Sequence, residues 1–311
     1  MRKAMGKALA AVLSLSLAIG AAGFSSVNVS ADAALDTKYD KYIAFGADLK
    51  KDEKATVLKE LGVSESELGD YKTIEITNKD EHDYLGSYLD SSVIGTRALS
   101  SVKIVKTEKG SGVTVSTKNI GYCTSGMYCN ALVTAGLSDA KVDVAGPFKI
   151  SGTSALVGAM KAYSVMTGED ISDETMDTAT DELVTTAEVA DSVGDPEKVS
   201  ELVAAAKKKI FEDQLSSEED IRDAIEASAN ALGLDLSDDD VDKLTNMMMK
   251  VSKADIDVDS ITQQASEIYN KLKDKGIDLS NVNTDGLLDK VGGFFSNIFE
   301  GITNFFKGLF G

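Results

Sequence analysis

The chain has 311 residues, with 51 acidic and 32 basic side chains, a formal net charge of −19, one histidine, two cysteines and no tryptophan. Such a field repels phosphate backbones and excludes a nucleic-acid partner. The length is ample for a sizeable core spread over more than one structural unit, and no cofactor-binding motif occurs.

Arg2, Lys3 and Lys7 precede an apolar run from Ala8 to Ile19 and small residues ending Val29-Ser30-Ala31, the three-part pattern of a secretory signal peptide. The pattern predicts cleavage after Ala31 and an extracellular or cell-envelope location for a mature chain of 280 residues; losing three leader cations gives it a formal charge of −22. The apolar run is shorter than the roughly 18 to 20 residues a membrane span needs. The leader holds no cysteine for lipid attachment.

Residues 32–168 read as alternating strand and helix. Lys41 to Ala47 suits a first strand, and Asp52 to Leu61 places Ala55, Leu58 and Leu61 on one helical face before Gly62. A second strand follows from Tyr71 to Thr77, with Asn78 and Glu81 spaced as a capping box that opens a helix through His82, Tyr84, Leu85, Tyr88 and Leu89. Arg97 to Thr107 and Val113 to Ile120 are β-branched runs joined by Glu108-Lys109-Gly110-Ser111-Gly112, a hairpin signal.

The stretch from Cys123 to Tyr163 is too rich in Val, Leu and Ala to be anything but core. Ser125 opens a helix that ends at Gly136, Ala140 to Ala145 forms a strand that Gly146-Pro147 breaks, and Ser151-Gly152-Thr153-Ser154 opens a helix to Met166. In an exported protein Cys123 and Cys129, six residues apart, either close a small disulfide loop or stand as two free thiols at the start of a helix. A zinc site lacks partners, because His82 is alone. The order of elements argues for an α+β fold whose N-terminal domain is a mixed α/β sandwich.

Several ordered phrases in this region, Phe45-Gly46-Ala47-Asp48-Leu49, Thr77-Asn78-Lys79-Asp80-Glu81-His82, Ile94-Gly95-Thr96-Arg97-Ala98, Asn130-Ala131-Leu132-Val133-Thr134-Ala135-Gly136 and Ser151-Gly152-Thr153-Ser154-Ala155-Leu156, resemble those of the YpuA-like family. That resemblance implies an exported protein of a Gram-positive bacterium with no assigned function. It supplies no catalytic residue.

Beyond residue 168 the composition shifts. Residues 32–164 carry 16 basic and 18 acidic side chains, whereas 165–285 carry 11 and 31. Asp195-Pro196 places a cap and an N1 proline before Val199, Leu202, Val203, Ala206, Ile210 and Phe211. Ser217 with Asp220 opens a helix closed by Gly233, Ser237 with Asp240 opens another, and a fourth begins near Asp259 and runs to Gly276. These narrow apolar stripes predict an acidic helical bundle over 169–285. Residues 286–311 form an amphipathic terminal helix in which Phe294, Phe295, Ile298, Phe299, Ile302, Phe305, Phe306, Leu309 and Phe310 share one face. Its four charges cancel, so contact with a membrane surface or a protein partner rests on apolar area.

Candidate ligand residues are few. Arg97, beside Thr96, has the fork geometry that clamps a carboxylate, or else it pairs internally with one of the many acids. Ser151 and Thr153 flank a helix start whose free amides suit an anion, or else they cap that helix. Asp255, Asp257 and Asp259 alternate as in a calcium loop, but Ser260 stands where the turn glycine belongs and Ser266 where the bidentate glutamate belongs, so no metal site is assigned. No glycine-flanked serine elbow accompanies His82, so no catalytic residue is assigned. The sequence reads as an exported, non-enzymatic binding protein of the envelope; a carboxylate-dependent hydrolase of cell-wall polymer and an acidic cation-binding surface protein are the alternatives.

Overall fold

The computed structural model describes residues 40–168 and 171–253, together with Ile261 and Gln264. Five strands, β1 (Lys41–Gly46), β2 (Lys72–Ile76), β3 (Ser101–Lys106), β4 (Val113–Ile120) and β5 (Ala140–Ile150), form one mixed sheet in the order β2-β1-β3-β5-β4. β1 and β2 run parallel, as do β4 and β5, while β3 is antiparallel to both its neighbours. The α+β architecture expected from the element order is the one observed.

Alternation along β1 assigns the two faces of the sheet. Tyr42 and Ala44 point into the main core; Ile43 and Phe45 point into a smaller one formed with Val57, Leu58, Leu61 and Val63. The smaller core is closed by α1 (Lys51–Glu60), which ends at Gly62 with φ +65°. The opposite face carries α2 (Asn78–Leu85), the single-turn α3 (Ser91–Ile94), α4 (Ser125–Thr134) and α5 (Thr153–Thr167). Gly158 lets α5 lie close to the sheet: a Cβ there would stand 2.7 Å from that of Ala44.

The expected hairpin between β3 and β4 does not form, because β5 lies between them. β5 buries Ala140, Val142, Val144 and Ala145, which suits an interior position, whereas β4 beyond Val113 is exposed or only half-buried, as an edge strand is. Asp143 fixes the register on both sides: it meets Lys103 of β3 at 2.9 Å and accepts a hydrogen bond from Ser116 of β4 at 2.6 Å. The turn after β3 is held by Asp139, whose carboxylate accepts from the amides of Gly110 and Gly112.

Gly146-Pro147 does not end β5 either. The β3 partnership stops at Ala145, so the amide that Pro147 lacks is not needed there, and β5 continues against β4 to the Ile120–Ile150 pair. The irregularity falls on Asn119, left-handed at φ 59°, whose side-chain amide donates to the Gly146 carbonyl. Two helix starts lie one residue earlier than expected. Thr77 caps α2 with Asp80, and Thr124 caps α4, since each is still extended and its hydroxyl reaches the amide three residues on.

The acidic half contains α6 (Asp173–Val193), α7 (Pro196–Glu212), α8 (Glu218–Leu232) and α9 (Asp238–Val251), with the caps at Asp195, Ser217 and Ser237 where they were expected. The helix expected from Asp259, apart from Ile261 and Gln264, and the terminal segment 286–311 lie outside the described residues, as does the leader. Helix α6 has no counterpart in the sequence reading. Its buried face includes Thr178, Ala179, Glu182, Leu183, Thr186, Ala187 and Ala190, a stripe whose threonines and glutamate hide the 3.6-residue period. It packs against α4, α7 and α9, and one hydrophobic core runs from Tyr42 to Val251 across the change of composition at residue 168.

Inside that core, Glu182 of α6 and Lys207 of α7 are both fully buried and 2.5 Å apart, a close charge contact. The Lys207 ammonium also donates to the Asn130 carbonyl at 3.0 Å and the Thr134 hydroxyl at 2.9 Å, and Thr134 donates to Glu182. Burial pushes the Glu182 carboxyl up, and Lys207 and Thr134 pull the other way. Removing one partner leaves the other charge uncompensated. Lys207→Ala is expected to lower the unfolding free energy by about 3–5 kcal/mol in urea titration, and Glu182→Leu/Lys207→Met to recover most of that loss.

Candidate functional site

The densest group of polar side chains carrying sequence-predicted site residues surrounds the N-terminal turn of α5. Gly152 precedes the helix with φ +105°, a conformation that glycine adopts without strain. A Cβ there would stand 2.5 Å from the Tyr128 hydroxyl, which donates to the Gly152 carbonyl at 2.5 Å. The Ala155 amide donates to Ser100 Oγ at 2.9 Å, and Ser100 Oγ lies 2.7 Å from Ser154 Oγ. A core hydroxyl thus adds to the partners of the Ala155 amide, which also donates to the Gly152 carbonyl at 3.2 Å.

Into this turn projects Glu81 of α2, only 1% exposed. Its Oε1 accepts from Thr153 Oγ1 at 2.7 Å, and Asn78 reaches Oε2 at 3.4 Å while also donating to the Gly95 carbonyl at 3.2 Å. The ring Nε2 of His82 meets the same carbonyl at 3.2 Å. Burial pushes the Glu81 carboxyl up to about 7, against the opposing pull of Thr153, Asn78 and the neighbouring His82. The Thr153 hydroxyl at this helix start is therefore spent on a carboxyl group of the chain itself. Ser151 lies beside it, 3.2 Å from Thr153 through their hydroxyls.

The other sequence-predicted residues do not join this group. Arg97 makes a two-pronged pair with Glu53, at 2.6 and 3.2 Å, and donates to the Asp48 carbonyl at 2.8 Å. This pair holds the carboxylate of Glu53 below its usual range, and Thr96 beside it is exposed. The contact face read from Phe294 to Phe310 lies outside the described residues. Among the described residues, no group of His, Cys, Asp and Glu side chains has the arrangement to hold a metal ion.

Cys123 and Cys129 stand as two free thiols, one of the two arrangements the sequence leaves open. They are aimed differently. Cys129 lies within α4 and its thiol faces the Val113 carbonyl of β4 at 3.4 Å, whereas Cys123 precedes the helix and packs beside Tyr128 and Gly152. Burial pushes the Cys123 thiol up to about 12.

Glu81 itself is missing from the sequence-based site residues, because its spacing from Asn78 reads as a capping box. A signal was present: stepping back four residues at a time from Leu89 through Leu85 lands on Glu81, so the buried stripe of α2 carries an acid at its head. The same step from Val203 reaches Lys207 on α7.

The thiol arrangement has a direct readout. Ellman's reagent is expected to leave both cysteines unlabelled in the native protein over minutes and to titrate two thiols at once in denaturant; a denatured chain with none would carry the disulfide.

The family described as protein of unknown function DUF1002 matches residues 45–268. The chain is 38% identical over 278 residues to the uncharacterized protein YpuA of Bacillus subtilis (strain 168), covering 89% of this chain and 92% of that protein. No solved structure matches. With a match of that extent, taking in strands β2 to β5 and helices α1 to α9, the chain belongs to the DUF1002, or YpuA-like, family of unknown function.

Proposed function

We propose that this is an exported, non-enzymatic protein of the cell envelope that works by binding, with the apolar face of residues 286–311 as its contact with a membrane surface or a protein partner. The observation that carries the reading is where the reactive side chains go. The Arg97 guanidinium is held by Glu53 and Asp48, the Thr153 hydroxyl by Glu81, the Lys207 ammonium by Glu182, and both thiols are buried. Groups spent on internal bonds hold a shape, and that use supports a binding protein over an enzyme.

Two sequence features supply the rest of the reading. The leader pattern of residues 1–31 directs export, and six of the ten phenylalanines fall in residues 286–311 with no net charge. A carboxylate hydrolase needs two acids facing one cleft, and the two carboxyls that burial pushes up, Glu81 and Glu182, are both sealed, Glu81 at 1% exposure and Glu182 at 0%.

Liposome co-sedimentation of the mature chain with and without residues 286–311 tests the proposal. The full chain is expected to pellet with zwitterionic and anionic vesicles alike and to resist added salt, because its contact is apolar; the shortened chain is expected to remain in the supernatant. If the contact is with protein instead, the full chain self-associates by light scattering and the shortened one is monomeric. Equal behaviour of the two chains in both measurements overturns the reading.

A further inference from the structure

We propose that Glu81 is a proton-operated latch, whose neutral carboxyl clasps α2 to the first turn of α5 and whose ionisation lets α2 and α3 lift from that face of the sheet. The geometry sets the device up. Helix α2 has eight residues and buries two of them, Glu81 and Leu85; α3 is one turn and buries Ile94. Between α2 and α5 the polar fastenings include Glu81 to Thr153 and Ser154, Asp80 to Lys161 at 2.7 Å and the Lys161 ammonium over the Tyr84 ring at 5.4 Å, and Asn78 and His82 tie α2 to the Gly95 carbonyl just after α3. A short segment with so few anchors opens independently of the core beneath it.

What distinguishes Glu81 from Glu182 is its company. Glu182 is buried against a lysine. Around Glu81, the titratable groups on its own helix are His82, Tyr84, Asp80, which is paired with Lys161 of α5, and Asp83, which is paired with Lys79. Tyr128 of α4 faces it with the Cys123 thiol behind, and α3, reading Ser-Ser-Val-Ile, brings no charge. Among the described residues, no lysine or arginine forms an ion pair with Glu81. Loss of the proton to solvent therefore strands a carboxylate at 1% exposure. The α5 terminus and Thr153 favour the anion, but burial outweighs them. Relief comes when α2 swings outward and the carboxylate reaches water, which uncovers Leu85, Leu89 and Ile94.

The sign follows from the direction of the shift. The folded carboxyl titrates at about 7, above the ordinary value of 4.5, so its contribution to closing is fully present below about pH 4.5 and is lost as pH rises through 7. Amide hydrogen exchange, expressed as protection factors to remove the intrinsic pH dependence, reads this segment by segment. Between about pH 5.5 and 7.5, protection of the α2 and α3 amides is expected to fall roughly twenty-fold in the natural protein, with Ile104 and Val142 of the sheet unchanged. Glu81→Gln, which cannot ionise, is expected to be flat over the same range. His82→Gln is expected to follow the natural protein, which separates the carboxyl from the imidazole beside it. Carbon-detected NMR titration of the Glu81 carboxyl in the natural protein needs no variant to fold, and its midpoint is expected near 7. A midpoint below about 5, protection that does not change with pH, or a Glu81→Gln profile that tracks the natural one each overturns the latch.

Discussion

Helix α4 is buried from Met127 to Thr134, and that burial constrains everything built around it. One side meets β4 and another meets α6 and α7, so the helix belongs as much to the acidic half as to the sheet. A helix in that position must be apolar all round or have its polar groups met from outside. Besides Tyr128, whose hydroxyl donates to the Gly152 carbonyl, Asn130 and Thr134 recruit more distant residues: Asn130 donates to the Ser200 carbonyl and accepts from Gln264, while Thr134 joins Glu182 and Lys207. The polar demands of one helix thereby set how α6, α7 and Gln264 of the downstream chain are placed.

The two most deeply buried acids show how environment divides one chemistry into two uses. Both carboxyls are driven upward by loss of water. Glu182 meets an ammonium group that has carbonyl and hydroxyl acceptors of its own, and the result is a fixed joint between α6 and α7. Glu81 meets a hydroxyl and an amide, which satisfy hydrogen bonding without neutralising charge. A joint of the first kind offsets one buried charge with another, and one of the second kind, as proposed above, registers pH.

The same accounting bears on function. Around α5 and at Arg97, side chains of the types that serve in catalysis or ligand capture are engaged by partners forty or more residues away: Arg97 with Glu53, Ser100 with Ser154, Thr153 with Glu81. Long-range polar bonds of this sort specify a tertiary arrangement, and they fit a protein whose dealings with other molecules occur at its surface. The DUF1002 family match covers residues 45–268 and adds no activity.

Local chemistry alone determined much of the architecture. The caps at Asp195, Ser217 and Ser237, the positive-φ glycines at 62, 136 and 233, and most strand positions were legible because each depends on residues within one turn of one another. Tertiary structure decided what local pattern leaves degenerate. β3 and β4 have the look of a hairpin, and only the competition of a more apolar β5, carrying Asp143 opposite both Lys103 and Ser116, separates them. Helix α6 has a threonine-rich stripe that becomes a buried face only because Lys207 and α4 wait for it. Cys123 and Cys129 are close in sequence but aimed at different neighbours, and Glu81 passes for a capping residue until α5 closes over it. A side chain's spacing gives its direction along an element, but whether water or another helix lies in that direction is a property of the whole fold.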